Sequence, residues 1–188
     1  RVSLFDDIKE SAEGRELSTR WYQSKIASLG GNQMGAKQHI EGGDKTAGPN
    51  YGMMNLFSYR PETAEKLSYY DIFPLSIPVA KNRDGFTGIN FHYLPIPLRV
   101  KVLNTLVDSF GDNNKLNLTW RQVSGYNKIR PIVRRYKARN VNSLFLKITV
   151  EDMLIASLLP VEEFYTGEYS SRRRVSNSQV YRETRQKI

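Results

Sequence analysis

The chain has 188 residues, no cysteine, 39% hydrophobic residues and a formal net charge of +9. Without cysteine it has no disulfide, no thiolate metal site and no thiol nucleophile. Its mean hydropathy of −0.52 is low for a compact globule, and no run approaches the roughly 18 apolar residues of a membrane-spanning helix, so the sequence predicts a soluble protein whose small core carries arms that lie on partners.

Residues 3–29 read as helical. Ser3 and Asp6 are spaced as a capping box, and Leu4, Phe5 and Ile8 open a short amphipathic turn. Gly14 separates this turn from a second helix over about Arg15 to Leu29, whose apolar stripe of Leu17, Trp21, Tyr22, Ile26 and Leu29 requires a cover. Gly30 to Asn50 holds six glycines and one proline, a composition that predicts an arm or long loop without regular structure.

The core signal begins at Tyr51. Met53, Leu56, Phe57 and Tyr59 read as a strand closed by Pro61, and Pro61–Leu67 as a short polar helical run. Phe73–Val79 and Phe86–Leu94 are β-favouring runs joined by Lys81–Gly85, where Asp84-Gly85 signals a hairpin turn. Pro74 and Pro78 remove two amide donors, which places the first of these strands at a sheet edge or makes it irregular. Pro97 opens the best helix, with Leu98, Val102, Leu103, Leu106 and Phe110 on one face and Gly111 at its end. Trp120–Tyr126 starts a helix that Pro131 interrupts or restarts. Leu144–Val150 alternates as a strand, and Glu151–Leu159 reads as a short buried helix with acidic residues in its first turn, stopped by Pro160. Beyond Gly167 the chain is polar and basic without an apolar period, which predicts a tail that orders on contact. The expected organisation is therefore α+β: an N-terminal helical and glycine-rich arm (1–50), a core with a small, mostly antiparallel sheet and packed helices (51–165), and a basic C-terminal tail (166–188).

Charge is concentrated rather than spread. Residues 111–150 hold nine Lys or Arg against one Asp, whereas cations and acids nearly balance elsewhere, and such a concentration draws anionic partners. Within it, Arg121, Lys128, Arg130, Arg134, Arg135, Lys137 and Arg139 are interleaved with Trp120, Tyr126 and Tyr136. Cations neutralise phosphates and aromatic rings stack on exposed bases, so the segment suits nucleic acid. Arginine with tyrosine and tryptophan also marks protein interfaces, and both readings stand. Arg172, Arg173 and Arg174 form a second cluster, equally suited to an acidic groove on a neighbouring subunit.

Other chemistry finds little support. Neither Gly35-Ala36-Lys37 nor Gly43-Asp44-Lys45-Thr46 has the spacing of a phosphate-binding loop. His39 and His92, the two histidines, have no partner at metal-ligand spacing, and His92 reads as a structural histidine in a strand. Asp6 with Asp7 and Glu162 with Glu163 are adjacent in sequence and tend to diverge, which is weak support for paired acid–base chemistry. The expectation is a non-enzymatic protein with no catalytic, cofactor or metal residues.

The runs Tyr69-Tyr70-Asp71-Ile72-Phe73-Pro74-Leu75 and Asp84-Gly85-Phe86-Thr87-Gly88-Ile89-Asn90-Phe91-His92-Tyr93-Leu94 resemble a family of virion structural proteins of T-even-like contractile-tailed phages, some members of which are DNA end protectors. The resemblance spans about Tyr59 to Phe110, with a looser echo over Leu144 to Glu163. It implies that Phe73, Phe86, Phe91 and Tyr93 pack the core while Gly85 and Gly88 permit a tight turn and close backbone approach, and it transfers no catalytic residue. It further implies a virion component at the head-tail junction, assembled in the host cytoplasm within a symmetric multi-subunit structure. Its partners would be portal, neck, tail or baseplate proteins and a double-stranded DNA end, with no membrane. Two other readings remain beside this one: a tail or baseplate subunit that meets only proteins, and a metal-dependent nuclease in a basic groove.

Overall fold

A computed structural model describes residues 4–12, 18–112 and 115–188. The N-terminal elements are α1 (Leu4–Ala12), α2 (Thr19–Ser28), α3 (Ala36–Gly42) and β1 (Lys45–Thr46). The middle of the chain forms β2 (Met54–Leu56), β3 (Tyr70–Asp71), β4 (Leu75–Asn82), β5 (Gly85–Asn90), α4 (Ile96–Phe110), β6 (Gly111–Asp112) and β7 (Lys115–Leu116). After these come α5 (Trp120–Ser124), β8 (Val133–Lys137), β9 (Phe145–Ile148), α6 (Val150–Leu158), β10 (Phe164–Thr166), β11 (Arg173–Val175) and α7 (Asn177–Arg185). The fold is α+β. A six-stranded sheet runs in the order β1-β9-β2-β4-β5-β8 with every pairing antiparallel, beside a three-stranded sheet, β11-β10-β3, and the β6–β7 ribbon.

The β4–β5 hairpin forms where its sequence signal lies, but Gly85 pairs with Asn82, so the turn residues are Arg83 and Asp84. Glycine is needed at 85 for space: a Cβ there would sit 1.9 Å from the Tyr136 carbonyl oxygen of β8. Close backbone approach, rather than a left-handed turn, is its role. β4 is not at the edge, since β2 and β5 flank it; Pro74 precedes the strand, and Pro78 coincides with a register shift between Pro78 and Ala80, the irregular alternative.

Strand alternation splits the apolar residues between the two faces of the sheet. Leu146 and Ile148 of β9 and Ile77 and Ile89 of the hairpin join the main core, together with Leu103 and Leu106 of α4 and Met153 and Ile155 of α6. Phe57, Tyr59, Phe86, Tyr136 and Phe145 form a second, aromatic cluster. Most of its ring pairs meet edge-on, as Phe57 and Tyr136 do with centroids 5.3 Å apart at 84°, a geometry that the ring quadrupoles favour.

Three expectations change at the ends of the chain. The segment Gly30–Asn50 carries regular structure: a 3₁₀ turn at Gly31–Gln33, then α3, then β1 paired with β9, with Ala36 and Ile40 in the main core. Glycines at 35 and 43 bound α3 rather than loosen the arm. The α2 stripe is covered within the chain, because Ile26 packs in the same core as Phe5 and Ile8 while Leu29 is exposed. Ser3, Gly14 and Leu17, named above for the capping box, the helix break and the stripe, lie outside the described residues. Beyond Gly167 the chain forms β11 and α7, the latter capped by Ser176 and anchored by buried Val180 and Thr184. Two buried positions four apart on a polar helix are too few to register as a period.

A buried arginine joins these parts. Arg99 on α4 is fully buried. Its Nε donates to the Leu94 carbonyl at 2.7 Å, and its Nη2 donates to Glu162 Oε1 at 2.7 Å and to the Tyr181 hydroxyl at 3.0 Å. Nη1 lies 3.4 Å from the Ser157 and Leu159 carbonyls, and the Tyr181 hydroxyl donates to the same Glu162 oxygen. This hub connects α4, the end of α6 and α7. A cation is stable there because carbonyls and a carboxylate replace its water.

Candidate nucleic-acid interface

The predicted basic segment divides into two parts. Its first part runs through α5, started by a capping box in which the Thr119 hydroxyl accepts from the Gln122 amide and the Gln122 side chain accepts from the Thr119 amide. Trp120 is 46% exposed, and Arg121, Lys128 and Arg130 are exposed. None of these three cations has a carboxylate partner among the described residues. Buried Val123, Ile129 and Ile132 fasten this stretch to the core, which leaves the charged side chains facing outward.

The second part is β8. A helix restarting at Pro131 is not what forms: Arg130–Ile132 make a 3₁₀ turn, and Val133–Lys137 become the edge strand beside β5. β-branched Val133 and the register Val133↔Ile89, Phe86↔Tyr136 favour the strand. Charged residues on an edge strand also deter edge-to-edge pairing, which gives this arginine-rich strand a structural reason of its own. Here the cations are engaged. Arg135 meets Asp84 at 2.8 Å, and Lys137 and Arg139 each reach Glu62 at 2.5 Å. Hydrogen bonds from Arg139 and Lys137 hold the Glu62 carboxyl down at about 2, and Arg135 lowers that of Asp84. Arg134 Nη1 donates to the Pro131 and Val133 carbonyls at 2.8 Å, and its guanidinium lies 3.9 Å from the Tyr93 ring centroid.

Behind β8 lies a cavity of about 300 Å³ whose lining includes Tyr69, Tyr93, Arg134, Tyr136 and Asn140. Burial raises the pKa of Tyr93 and Tyr136, and burial followed by the charge of Glu183 pushes Tyr69 up to about 12. The phenols therefore stay protonated at neutral pH. Asp71, also in the lining, is fully committed: Oδ1 accepts from the Phe73 amide at 2.9 Å, and Oδ2 lies 3.0 Å from both Asn90 Nδ2 and His92 Nδ1. His92 thus sits buried in a structural network.

In the second cluster Arg173 and Arg174 lie in β11, paired to β10, rather than in a tail, and Arg172 directly precedes the strand. Arg172 lies 4.3 Å from the Tyr165 and Tyr169 ring centroids, and Arg60 lies 3.8 Å from Tyr169. Arg173 and Arg174 are exposed. Of the thirteen residues of the two clusters singled out from sequence, Arg134, Arg135, Tyr136 and Lys137 share the cavity lining, and the other nine do not line it. Sequence reasoning missed Glu62 and Asp84, which neutralise part of the segment from 51 to 77 residues away. It also missed Tyr69 and Asn140. Only Arg99 left a local signal, an arginine on the apolar face of α4, four residues before Leu103.

Among the described residues no group of three or more His, Asp and Glu side chains converges as a metal site, and no helix is long and apolar enough to cross a membrane. No curated protein and no solved structure matches the chain. A family model described as phage T4 terminal DNA protecting protein matches residues 1–184.

Proposed function

The chain belongs to the phage T4 terminal DNA protecting protein family, and on that premise we propose that it is a non-enzymatic phage protein that binds and shields the end of duplex DNA. The observation that carries the proposal beyond the family is the exposed trio Arg121, Lys128 and Arg130, which has no carboxylate partner among the described residues. Unpaired cations bind phosphates by releasing counterions, without first breaking an internal ion pair. Trp120 beside them offers a ring for an exposed base. The protein acts in the virion at the head-tail junction, where it meets the packaged DNA end beside portal and neck proteins.

A salt series tests the reading. Affinity for a linear duplex should fall linearly on logarithmic axes, by about 0.9 in slope for each phosphate contacted. Arg121→Glu/Lys128→Glu/Arg130→Glu should flatten that slope. No binding at low salt would remove DNA from the account.

One observation favours a second reading, a protein-only subunit of the tail or baseplate: Arg135, Lys137 and Arg139 are already paired with Asp84 and Glu62, which leaves them less free for phosphates. Crosslinking of intact particles separates the two, since links confined to portal and neck proteins exclude the baseplate.

A further inference from the structure

Phosphates run along the whole duplex, so a cationic surface cannot by itself tell an end from the interior. What distinguishes an end is its terminal base, which is stacked on one side only and leaves the helix more readily than an internal base. On the DNA-end reading proposed above, some part of this chain must recognise that base.

The cavity behind β8 has the required chemistry. At about 300 Å³ it is at the lower end of the range for ligand sites, a volume that suits one nucleotide. Its walls are aromatic: the Tyr69 and Tyr93 rings lie 6.0 Å apart with planes tilted by 35°. Arg134 supplies a positive charge fixed by two backbone carbonyls. Asp71, the buried acid of the lining, is saturated by donors of its own chain. Two polar atoms of lining residues are shut off from water without a well-formed partner. Asn140 Nδ2 has no hydrogen-bond partner among the described residues, and the Tyr136 hydroxyl, beside Asn90, lacks a well-formed one. A buried polar group without a partner is completed by a water, an ion or a ligand that comes to it.

We infer that this cavity receives the terminal base of a DNA end, lifted out of the stack. Tyr69 contacts its face, the Asn140 and Tyr136 side chains turn from their shielded positions to meet its polar edge, and Arg134 neutralises the adjoining phosphate. Sequence is read weakly, because every base has a π face. The exposed trio then supplies binding common to all DNA, and the cavity supplies the preference for an end.

The test compares three DNAs in binding to the full chain: a linear duplex with intact ends, the same duplex with abasic terminal residues, and a covalently closed circular duplex. Loss of the terminal base should weaken binding about 5- to 150-fold, the range for one stacked base. Tyr69→Leu and Asn140→Asp should each bring the intact duplex toward the abasic level. Abasic ends bound as tightly as intact ones, with both preferred over the circle, would overturn the cavity and leave end binding standing. Equal binding of all three would overturn end binding and the cavity with it. A second measurement needs no substitution: a terminal 5-iododeoxyuridine should photocrosslink to the peptides holding Tyr69, Tyr93 or Tyr136. Crosslinks confined to Trp120–Arg130 would contradict the assignment.

Discussion

Arg99 and the trio of Arg121, Lys128 and Arg130 carry the same charge in opposite settings. Arg99 is fully buried, and carbonyls, a carboxylate and a hydroxyl take the place of its water. The trio faces solvent with no acidic partner among the described residues. Arg135, Lys137 and Arg139 lie between, exposed or half-buried yet paired to Glu62 and Asp84. The difference shows that a cation's use is set by how its charge is compensated: fully compensated, it holds elements together; uncompensated, it is available to a phosphate.

The largest effect should come from breaking the hub. Arg99→Leu leaves Glu162 buried without its cation and should cost about 3–5 kcal/mol in chemical denaturation, while the salt slope of DNA binding by the folded fraction stays unchanged. The trio should behave in the opposite way. Arg121→Glu/Lys128→Glu/Arg130→Glu should lower DNA affinity by about two orders of magnitude and reduce the salt slope by about 3, with the denaturation midpoint nearly unmoved. Should both variants lose stability and affinity together, the two regions are not separate.

Gly85→Ala probes the intermediate group. Its Cβ would press on the Tyr136 carbonyl, so β8 must shift, at about 1–3 kcal/mol in denaturation. Acid sharpens the contrast further. Burial would raise the Glu162 pKa, but Arg99, His92 and Tyr181 hold it below its ordinary 4.5. A depressed folded value means that the hub's contribution is present above pH 4.5 and is lost as pH falls through the lower, folded value. Thermal melting should show this acid limb, and Glu162→Gln should flatten it. The smallest change is expected from Glu62→Gln, which releases Lys137 and Arg139. DNA affinity should rise, but by no more than about fivefold, because exposed ion pairs are weak.

Local features of the fold were legible. The β4–β5 hairpin followed from its β-favouring runs and Asp84-Gly85, and α4 from Pro97 with the Leu98–Phe110 stripe. What sequence could not show is compensation across distance. Glu62 precedes Arg139 by 77 residues and Tyr181 follows Arg99 by 82, so counting charge by segment saw nine free cations where the fold pairs several. The ends were misread for a related reason. α3 and α7 each bury only two or three side chains, a signal too sparse for periodicity, and they are held by a core assembled elsewhere. The phage-family resemblance, carried by motifs between Tyr59 and Phe110, understated its reach, since the family match includes the N-terminal fifty residues and the arginine triplet.

Protection itself gives the most direct measurement. Linear duplex DNA incubated with the full chain and then with a double-strand exonuclease should remain full length, whereas the same DNA with the Arg121→Glu/Lys128→Glu/Arg130→Glu variant should be degraded at the rate of bare DNA. Degradation at the bare-DNA rate with the unaltered chain present, at concentrations that saturate binding, would contradict the account.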